Sequence, residues 1–252
     1  MTPFKRIRTP MHRYGDPDFD REYVRWGLHD PEEQRRQADS LLALLPSPAG
    51  LRILDLACGI GTHAIVWAKA GHDVVGVDLS ETFIAKAGEA ARAERIDAVF
   101  IVSDVRDISY ESEFDVIAWI ERSFFDEEVA RAVWHSLRPG GRFILDDRNP
   151  ENPKVQARQA NWRTWREADG KFHLERHETD PETGLHQDAW ITIDPEAELI
   201  EEKVGTTRHQ TMHDRIGILE QVGFRQVELK TMAGETFTGG AEPSWLWVVA
   251  EK

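Results

Sequence analysis

The sequence predicts an α/β fold in which a mostly parallel sheet is covered by helices on both faces and carries an inserted set of antiparallel hairpins. Between residues 51 and 147, short apolar runs alternate with helical segments. The runs are apolar throughout, which is typical of parallel strands that are buried on both faces. From about residue 148 to 208, four strand-like segments separated by turn residues replace this alternation.

The elements follow one another in a regular order along the chain. The predicted strands of the first part are 52–57, 73–79, 98–103, 114–120 and 142–146. The predicted helices are 62–70, which ends at Gly71, 80–94, which Ser80 caps, and 126–137, which Pro139-Gly140-Gly141 ends. The inserted strands are predicted at 163–167, 172–179, 186–193 and 199–206, and a helix at 212–221 and strands at 225–231 and 244–250 follow them.

This pattern divides the chain into three kinds of segment. Residues 1–50 are polar, are predicted to be helical and end in a Pro/Gly-rich stretch. Residues 51–147 and 209–252 form the predicted seven-stranded core, and residues 148–208 form an inserted β cap. The length of 252 residues suits one domain with such an insertion.

Composition narrows the class of protein. Lys and Arg total 31 and Asp and Glu total 45, so the formal net charge is −14. An acidic chain repels phosphate backbones, so we expect no nucleic-acid partner. The single cysteine, Cys58, excludes an intrachain disulfide and fits a reducing compartment. No apolar run is long enough to span a membrane, so we expect a cytoplasmic protein without a membrane partner. We also expect no metal site.

A glycine-rich turn after the first core strand is the most informative motif. Gly59, Gly61 and Ala64 form a G-x-G-x-x-A pattern at a strand-to-helix turn, where backbone can approach a ligand closely. Asp55 ends the strand just before it. Its carboxylate would repel a dinucleotide pyrophosphate, so the turn favours a ligand with a cationic group, such as an ammonium or a sulfonium.

Two further acidic residues end the next two strands. Asp78 follows Asp55 by 23 residues, at the position where a carboxylate accepts both hydroxyls of a ribose. Asp104 ends the third strand and could accept a hydrogen bond from an adenine amino group. The three carboxylates would line the crevice at the carboxyl ends of the strands, where this architecture binds ligands.

At these positions the sequence resembles the class I S-adenosylmethionine-dependent methyltransferases. The resemblance covers roughly residues 50 to 147. It is carried by ILDLACGIGTHA (53–64), VVGVDLS (74–80), IVSDVRDI (101–108), FDVIAWI (114–120) and LRPGGRFILDD (137–147). It implies a Rossmann-like, doubly wound sheet with an antiparallel last strand. It also implies that Ala57, Gly59 and Gly61 cradle the methionine part of S-adenosylmethionine, Asp55 faces its ammonium and Asp78 holds its ribose.

The same resemblance assigns the adenine side of the site. It implies that Leu79 packs on the adenine and that Asp104 and Val105 read the adenine edge. Trp119, at the end of the fourth strand, would lie beside the cofactor. Tyr23 lies in the N-terminal segment, which could fold over the cofactor as a lid.

The sequence gives fewer indications of which molecule accepts the methyl group. The Asp/Asn-Pro-Pro-Tyr signature of amino-methylating nucleic-acid enzymes is absent after Ile120, where the chain reads Glu-Arg-Ser-Phe. The inserted β region instead resembles the substrate cap of small-molecule N- and O-methyltransferases. Six residues are candidates for handling the acceptor: His209 and His213 as general bases, Arg148 and Arg208 as partners of a substrate carboxylate, and Trp162 and Trp165 as an apolar wall.

The sequence therefore predicts methyl transfer from S-adenosylmethionine to a nitrogen or oxygen of a small molecule. An NAD(P)-dependent oxidoreductase is one alternative, because the G-x-G-x-x-A pattern permits it. A non-catalytic binding protein on the same scaffold, or an enzyme that uses the sulfonium for another reaction, remains open as well. The β insertion is also a candidate surface for self-association.

Overall fold

The computed structural model describes most of the chain. The described residues are 4–10, 15, 17, 20, 31–47, 49–120, 125–149, 151–152, 160–166, 170–179, 185–208 and 210–252. Two predicted site residues, Tyr23 and His209, lie outside them.

Seven strands form the main sheet. They are β2 (Arg52–Leu56), β3 (Asp73–Asp78), β4 (Val99–Val102), β5 (Phe114–Trp119), β6 (Leu137–Arg148), β11 (Arg225–Thr231) and β12 (Trp245–Glu251). Their order in the sheet is β11-β12-β6-β5-β2-β3-β4. β12 is antiparallel to both of its neighbours, whereas the pairs from β6 to β4 are parallel. The predicted sheet with its antiparallel last strand is confirmed.

Helices cover both faces of this sheet. They are α1 (Pro31–Leu42), α2 (Thr62–Lys69), α3 (Glu81–Glu94), α4 (Glu127–Ser136) and α5 (Met212–Val222). Side chains alternate along β2, so Ile53 packs on the face of α1 and α2 and Leu54 on the face of α4 and α5. None of the helices described is both long and apolar enough to cross a membrane.

A second sheet of five strands combines the four strands of the insertion with one N-terminal strand. Its strands are β1 (Lys5–Pro10), β7 (Ala160–Arg166), β8 (Phe172–Thr179), β9 (Leu185–Asp194) and β10 (Leu199–Arg208), in the order β1-β10-β9-β8-β7. The four predicted inserted strands are present and antiparallel.

The prediction of a helical N-terminal segment is wrong for residues 5–10. They form β1, which pairs in parallel with β10, so that Lys5 lies opposite Leu199 and Pro10 opposite Val204. β1 is polar and mostly exposed. Its extended conformation depends on backbone hydrogen bonds to a strand almost two hundred residues away, which local sequence does not reveal.

Asp126 caps α4 and allows a test of one local interaction. Its Oδ1 accepts a hydrogen bond from the backbone N–H of Val129 at 2.9 Å. We expect Asp126→Ala to lower the free energy of unfolding by about 1 kcal/mol, because a helix N–H loses its acceptor. Asp126→Asn keeps the cap and serves as the control in urea denaturation. Equal losses in both variants would assign the effect to the charge at the helix end instead.

Candidate functional site

The turn between β2 and α2 has a tight backbone conformation that hydrogen bonds hold in place. Ala57, Gly59 and Gly61 all have positive φ angles, of 53°, 54° and 79°. The Cys58 N–H donates to the Val77 carbonyl at 3.0 Å, and the Gly61 N–H donates to the Cys58 carbonyl at 2.9 Å. A Cβ built on Gly59 would meet no atom of the described residues within 4 Å, so the turn is open to them on that side. The open side is suited to a ligand that approaches the backbone closely.

Asp78 ties this turn to the end of β3. Its Oδ2 accepts a hydrogen bond from the Gly59 N–H, and its Oδ1 accepts one from the Ser80 N–H, both at 2.9 Å. The side chain is 6% exposed. Each carboxylate oxygen has two lone pairs, so these bonds orient the group while leaving it able to accept further hydrogen bonds.

Asp55 is the most unusual group of the turn. It is 2% exposed and accepts a hydrogen bond from the backbone N–H of Ala64 in the first turn of α2. Its Oδ2 is buried and accepts no hydrogen bond from any residue that the structure describes. Burial, and then the negative charge of Asp78, raise the pKa of Asp55 well above its ordinary value. A cationic ligand group at Oδ2 would donate a hydrogen bond to this oxygen and neutralise the negative charge of the carboxylate.

Asp104 is held by a neighbour that sequence reasoning overlooked. Its Oδ1 accepts hydrogen bonds from the backbone N–H and the Nε of Arg106, at 2.9 and 3.0 Å, and its Oδ2 accepts one from Nη2. The guanidinium lowers the pKa of Asp104 below its ordinary value. Val105 is 7% exposed and packs in the core. Contact of Asp104 and Val105 with adenine stays a prediction.

Two apolar residues predicted near the cofactor lie in different surroundings. Leu79, directly after β3, is 45% exposed. Trp119 is 1% exposed and packs edge-on against Phe125, with 6.1 Å between the ring centroids. Leu79 is therefore accessible to a flat ligand, whereas Trp119 belongs to the core below the end of β5. Contact of either residue with a cofactor stays a prediction.

The candidate acceptor residues are only partly described. The guanidinium of Arg148 lies 5.2 Å from the ring centroid of Trp245. His213 lies in the first turn of α5, which Thr211 and Asp214 cap with a reciprocal pair of hydrogen bonds. The backbones of Trp162, Trp165 and Arg208 lie in strands of the second sheet, but their side chains are outside the described part of the chain. Their roles, like that of His209, stay predictions.

Sequence reasoning missed two buried carboxylates at the end of β6. Asp147 accepts a hydrogen bond at Oδ2 from Arg215 Nη1 at 2.6 Å, in a largely buried ion pair, and at Oδ1 from the Arg148 N–H at 2.7 Å. Asp146 is 2% exposed and lies on the other face of the strand. The sequence does contain a signal for them, because Asp146 and Asp147 end an apolar strand, as Asp55 and Asp78 do.

Comparisons with known proteins find methyltransferases that are similar to part of this chain. Residues 53–141 match a family described as a methyltransferase domain. The chain is 35% identical over 108 residues to the cypemycin N-terminal methyltransferase of a Streptomyces species, covering 40% of this chain and 43% of that protein. It is 31% identical over 156 residues to the malonyl-[acyl-carrier protein] O-methyltransferase of Enterobacter lignolyticus (strain SCF1), covering 58% of this chain and 56% of that protein. The chain spans about half the length of these curated relatives.

A solved structure supports the fold over nearly the whole chain. It is that of an S-adenosylmethionine-dependent methyltransferase from Clostridium acetobutylicum ATCC 824, with a TM-score of 0.68 and 16% identity, covering 93% of this chain and 97% of that one. At this identity the likeness shows the fold alone. The matched family segment contains the glycine turn and the strand ends that carry Asp78 and Asp104. Over residues 53–141 the chain is therefore similar to methyltransferase domains, and its fold agrees with that similarity.

Proposed function

We propose that this protein transfers a methyl group from S-adenosylmethionine to a nitrogen or oxygen atom of a small molecule. The observation that carries the proposal is the buried Oδ2 of Asp55, which accepts no hydrogen bond from the described residues and lies just before the open glycine turn. The ammonium of a methionine moiety would supply that donor and the missing positive charge. A dinucleotide pyrophosphate would instead add negative charge next to Asp55 and Asp78, which disfavours an NAD(P)-dependent oxidoreductase.

The residues of the turn suit the other parts of the same molecule. Asp78, with its carboxylate oriented by Gly59 and Ser80, would accept hydrogen bonds from the ribose hydroxyls. The exposed Leu79 would offer an apolar surface to adenine. When bound, S-adenosylmethionine supplies an electrophilic methyl group, so the protein contributes mainly by orienting the two reactants and excluding water.

A small-molecule acceptor fits the charge and the insertion. The net charge of −14 disfavours nucleic acid, and the five-stranded sheet supplies a separate layer of structure for substrate selection. The candidate acceptor residues Arg148 and His213 flank that insertion in sequence. The single cysteine agrees with residence in the cytoplasm, which we include in the proposal.

Calorimetric titration with S-adenosylhomocysteine tests the proposal. We expect saturable binding to the wild-type protein and a loss of affinity of about tenfold in Asp78→Asn, because a neutral amide accepts hydrogen bonds from ribose less strongly than a carboxylate. Asp73→Asn is the matched control, since Asp73 lies exposed at the other end of the same strand. Preferential binding of NADH or NADPH, or no effect of Asp78→Asn, would contradict the proposed site.

A further inference from the structure

We propose that the side-chain amide of Gln37 on α1 holds the ammonium group of S-adenosylmethionine together with Asp55. This inference rests on the proposed methyl transfer and adds to its site a residue from outside the glycine turn. It is carried by the burial of Gln37, by the state of its side-chain oxygen, and by its position beside the first turn of α2.

Gln37 is a polar residue in a part of α1 that otherwise buries apolar side chains. Ala38 and Leu41 are fully buried and belong to the core that α1 and α2 form with the main sheet. Gln37 is 5% exposed, yet its Oε1 accepts no hydrogen bond from any residue that the structure describes. A buried amide oxygen without a donor is unfavourable and rare in folded proteins, so Gln37 favours a ligand that brings a donor.

The direction of α1 places Gln37 near the crevice. Arg142, in the first half of β6, donates from Nη1 to the Leu44 carbonyl just after α1, at 3.1 Å. Trp247, which lies opposite the last part of β6, donates from Nε1 to Ser40 Oγ at 3.0 Å. α1 therefore runs antiparallel to β6. Gln37, about one turn before Ser40, lies further towards the carboxyl ends of the strands, where this architecture binds ligands.

The first turn of α2 connects Gln37 with Asp55. The backbone N–H of Ala64, in that turn, donates to the Asp55 carboxylate. Three residues later, Trp67 Nε1 donates to the Ala38 carbonyl of α1 at 3.1 Å. Helix side chains lean towards the N-terminus, so the Trp67 indole lies over the turn that contains Ala64. Gln37 precedes Ala38 and leans in the same direction, so Gln37 and Asp55 flank this turn.

Both residues also belong to the same face of the main sheet. Ile53, two residues before Asp55 on β2, packs in the core on the side of α1 and α2. Because side chains alternate along a strand, Asp55 points to that side as well. The axes of packed helices lie about 8–10 Å apart. The Asp55 carboxylate and the Gln37 amide therefore border one polar region between α1, α2 and the carboxyl end of β2.

The chemistry of the two oxygens selects an ammonium. Asp55 Oδ2 and Gln37 Oε1 are both acceptors, and an ammonium group has three N–H donors and no acceptor. One donor goes to Asp55, which also neutralises the positive charge, and a second goes to Gln37. A ligand carboxylate at this place would bring only acceptors and leave both oxygens without a donor. Held from two sides, the ammonium fixes the methionine chain and so the direction of the sulfonium methyl group.

Two ligands that differ only in the amino group test this inference. One is S-adenosylhomocysteine, and the other is its deamino analogue, in which hydrogen replaces the ammonium group. We expect wild-type protein to prefer S-adenosylhomocysteine in calorimetry. In Gln37→Met this preference should fall about tenfold, because the ammonium loses an acceptor while the side chain keeps its approximate size. The deamino analogue should bind this variant within about twofold of its affinity for wild-type protein.

Ser40→Ala is the matched control on the same helix. Ser40 Oγ donates to the Met232 carbonyl and accepts from Trp247, so its hydrogen bonds serve the fold. This variant should be less stable in urea denaturation and keep the wild-type preference for S-adenosylhomocysteine. An equal fall of the preference in Ser40→Ala and Gln37→Met would assign the effect to the packing of α1 and overturn the inference.

The same titrations distinguish failure of this inference from failure of the proposed function. If Gln37→Met keeps the full preference while S-adenosylhomocysteine still binds, the assignment of Gln37 is overturned and the proposed methyl transfer stands. If wild-type protein binds neither compound, the proposed function itself fails.

Gln37→Glu separates hydrogen bonding from packing and covers the case in which Gln37→Met does not fold. Glutamate has the length of glutamine and keeps an acceptor oxygen, now with a negative charge. We expect this variant to be less stable without ligand, because it buries a carboxylate. Its preference for S-adenosylhomocysteine over the deamino analogue should be at least that of wild-type protein. A lower preference would show that Gln37 contributes by shape alone, which contradicts the inference.

Discussion

Gly61→Ala is expected to lower the free energy of unfolding by about 4 kcal/mol, through strain and overpacking together. A Cβ on Gly61 would lie 2.8 Å from the Cβ of Ala87 and 2.9 Å from Cε1 of Phe100. Ala87 is fully buried on α3, so the clash cannot be relieved by rotating a flexible side chain. The φ angle of +79° adds strain for any residue with a side chain.

Gly59→Ala separates the effect of backbone strain from the effect of overpacking. Gly59 also has a positive φ, of 54°, but a Cβ there meets no atom within 4 Å in the part of the chain that the structure describes. We expect this variant to lose about 1–2 kcal/mol, from backbone strain alone. Urea denaturation of the two variants measures the difference. Equal losses would show that α2, α3 and β4 can move apart to accept the extra methyl group at Gly61.

Asp55→Asn is expected to stabilise the ligand-free protein and to weaken S-adenosylhomocysteine binding about a hundredfold. Burial, and then the negative charge of Asp78, raise the pKa of Asp55, so its charged form is unfavourable in the ligand-free protein. A neutral amide removes that cost, but it also removes the partner of the ligand's ammonium. Thermal denaturation with and without S-adenosylhomocysteine checks both effects, because the ligand-induced rise in Tm should nearly vanish. An unchanged ligand-induced rise would contradict the role of Asp55.

The same variant has a defined pH dependence. Because the pKa of Asp55 is higher in the folded than in the unfolded protein, its charge costs nothing below the unfolded value. The stability advantage of Asp55→Asn should appear as the pH rises above that value and level off above the folded-state pKa. An ammonium ligand lowers this pKa, so wild-type protein should release protons on binding and bind more tightly as the pH rises through the same window. Calorimetry in buffers of different protonation enthalpy measures this release, which should be absent in Asp55→Asn.

The strand ends of the parallel sheet were predictable because their signal is local. Asp55 and Asp78 each follow a short apolar run, and the glycines of the turn stand directly after the first. Any parallel sheet brings such strand ends to one edge, so their proximity followed from the fold class. The inserted hairpins were predictable for a similar reason, since their turns carry Asp, Gly and Pro between strand-like segments.

The features that the sequence did not predict depend mostly on contacts between residues that are distant in the chain. β1 is a strand only because β10 pairs with it, and Asp147 is neutralised because Arg215 on α5 faces it. Asp104 shows a different limit, since its Arg106 partner is close in sequence but could equally have pointed to solvent. In each case the sequence offers a charge or an extended segment, and the tertiary structure decides its partner.

The position of β12 has a consequence for the order in which the chain folds as it is synthesised. β12, the last of the described strands, lies between β6 and β11, and among those strands it alone pairs with β11. While a ribosome is still translating residues before Trp245, the strands β4, β3, β2, β5 and β6 can already pair, but β11 has no strand to join and β6 keeps an open edge. An open edge invites pairing with other chains. Nascent chains stalled before Trp245 should therefore depend on chaperones far more than chains released after Glu251 has been added.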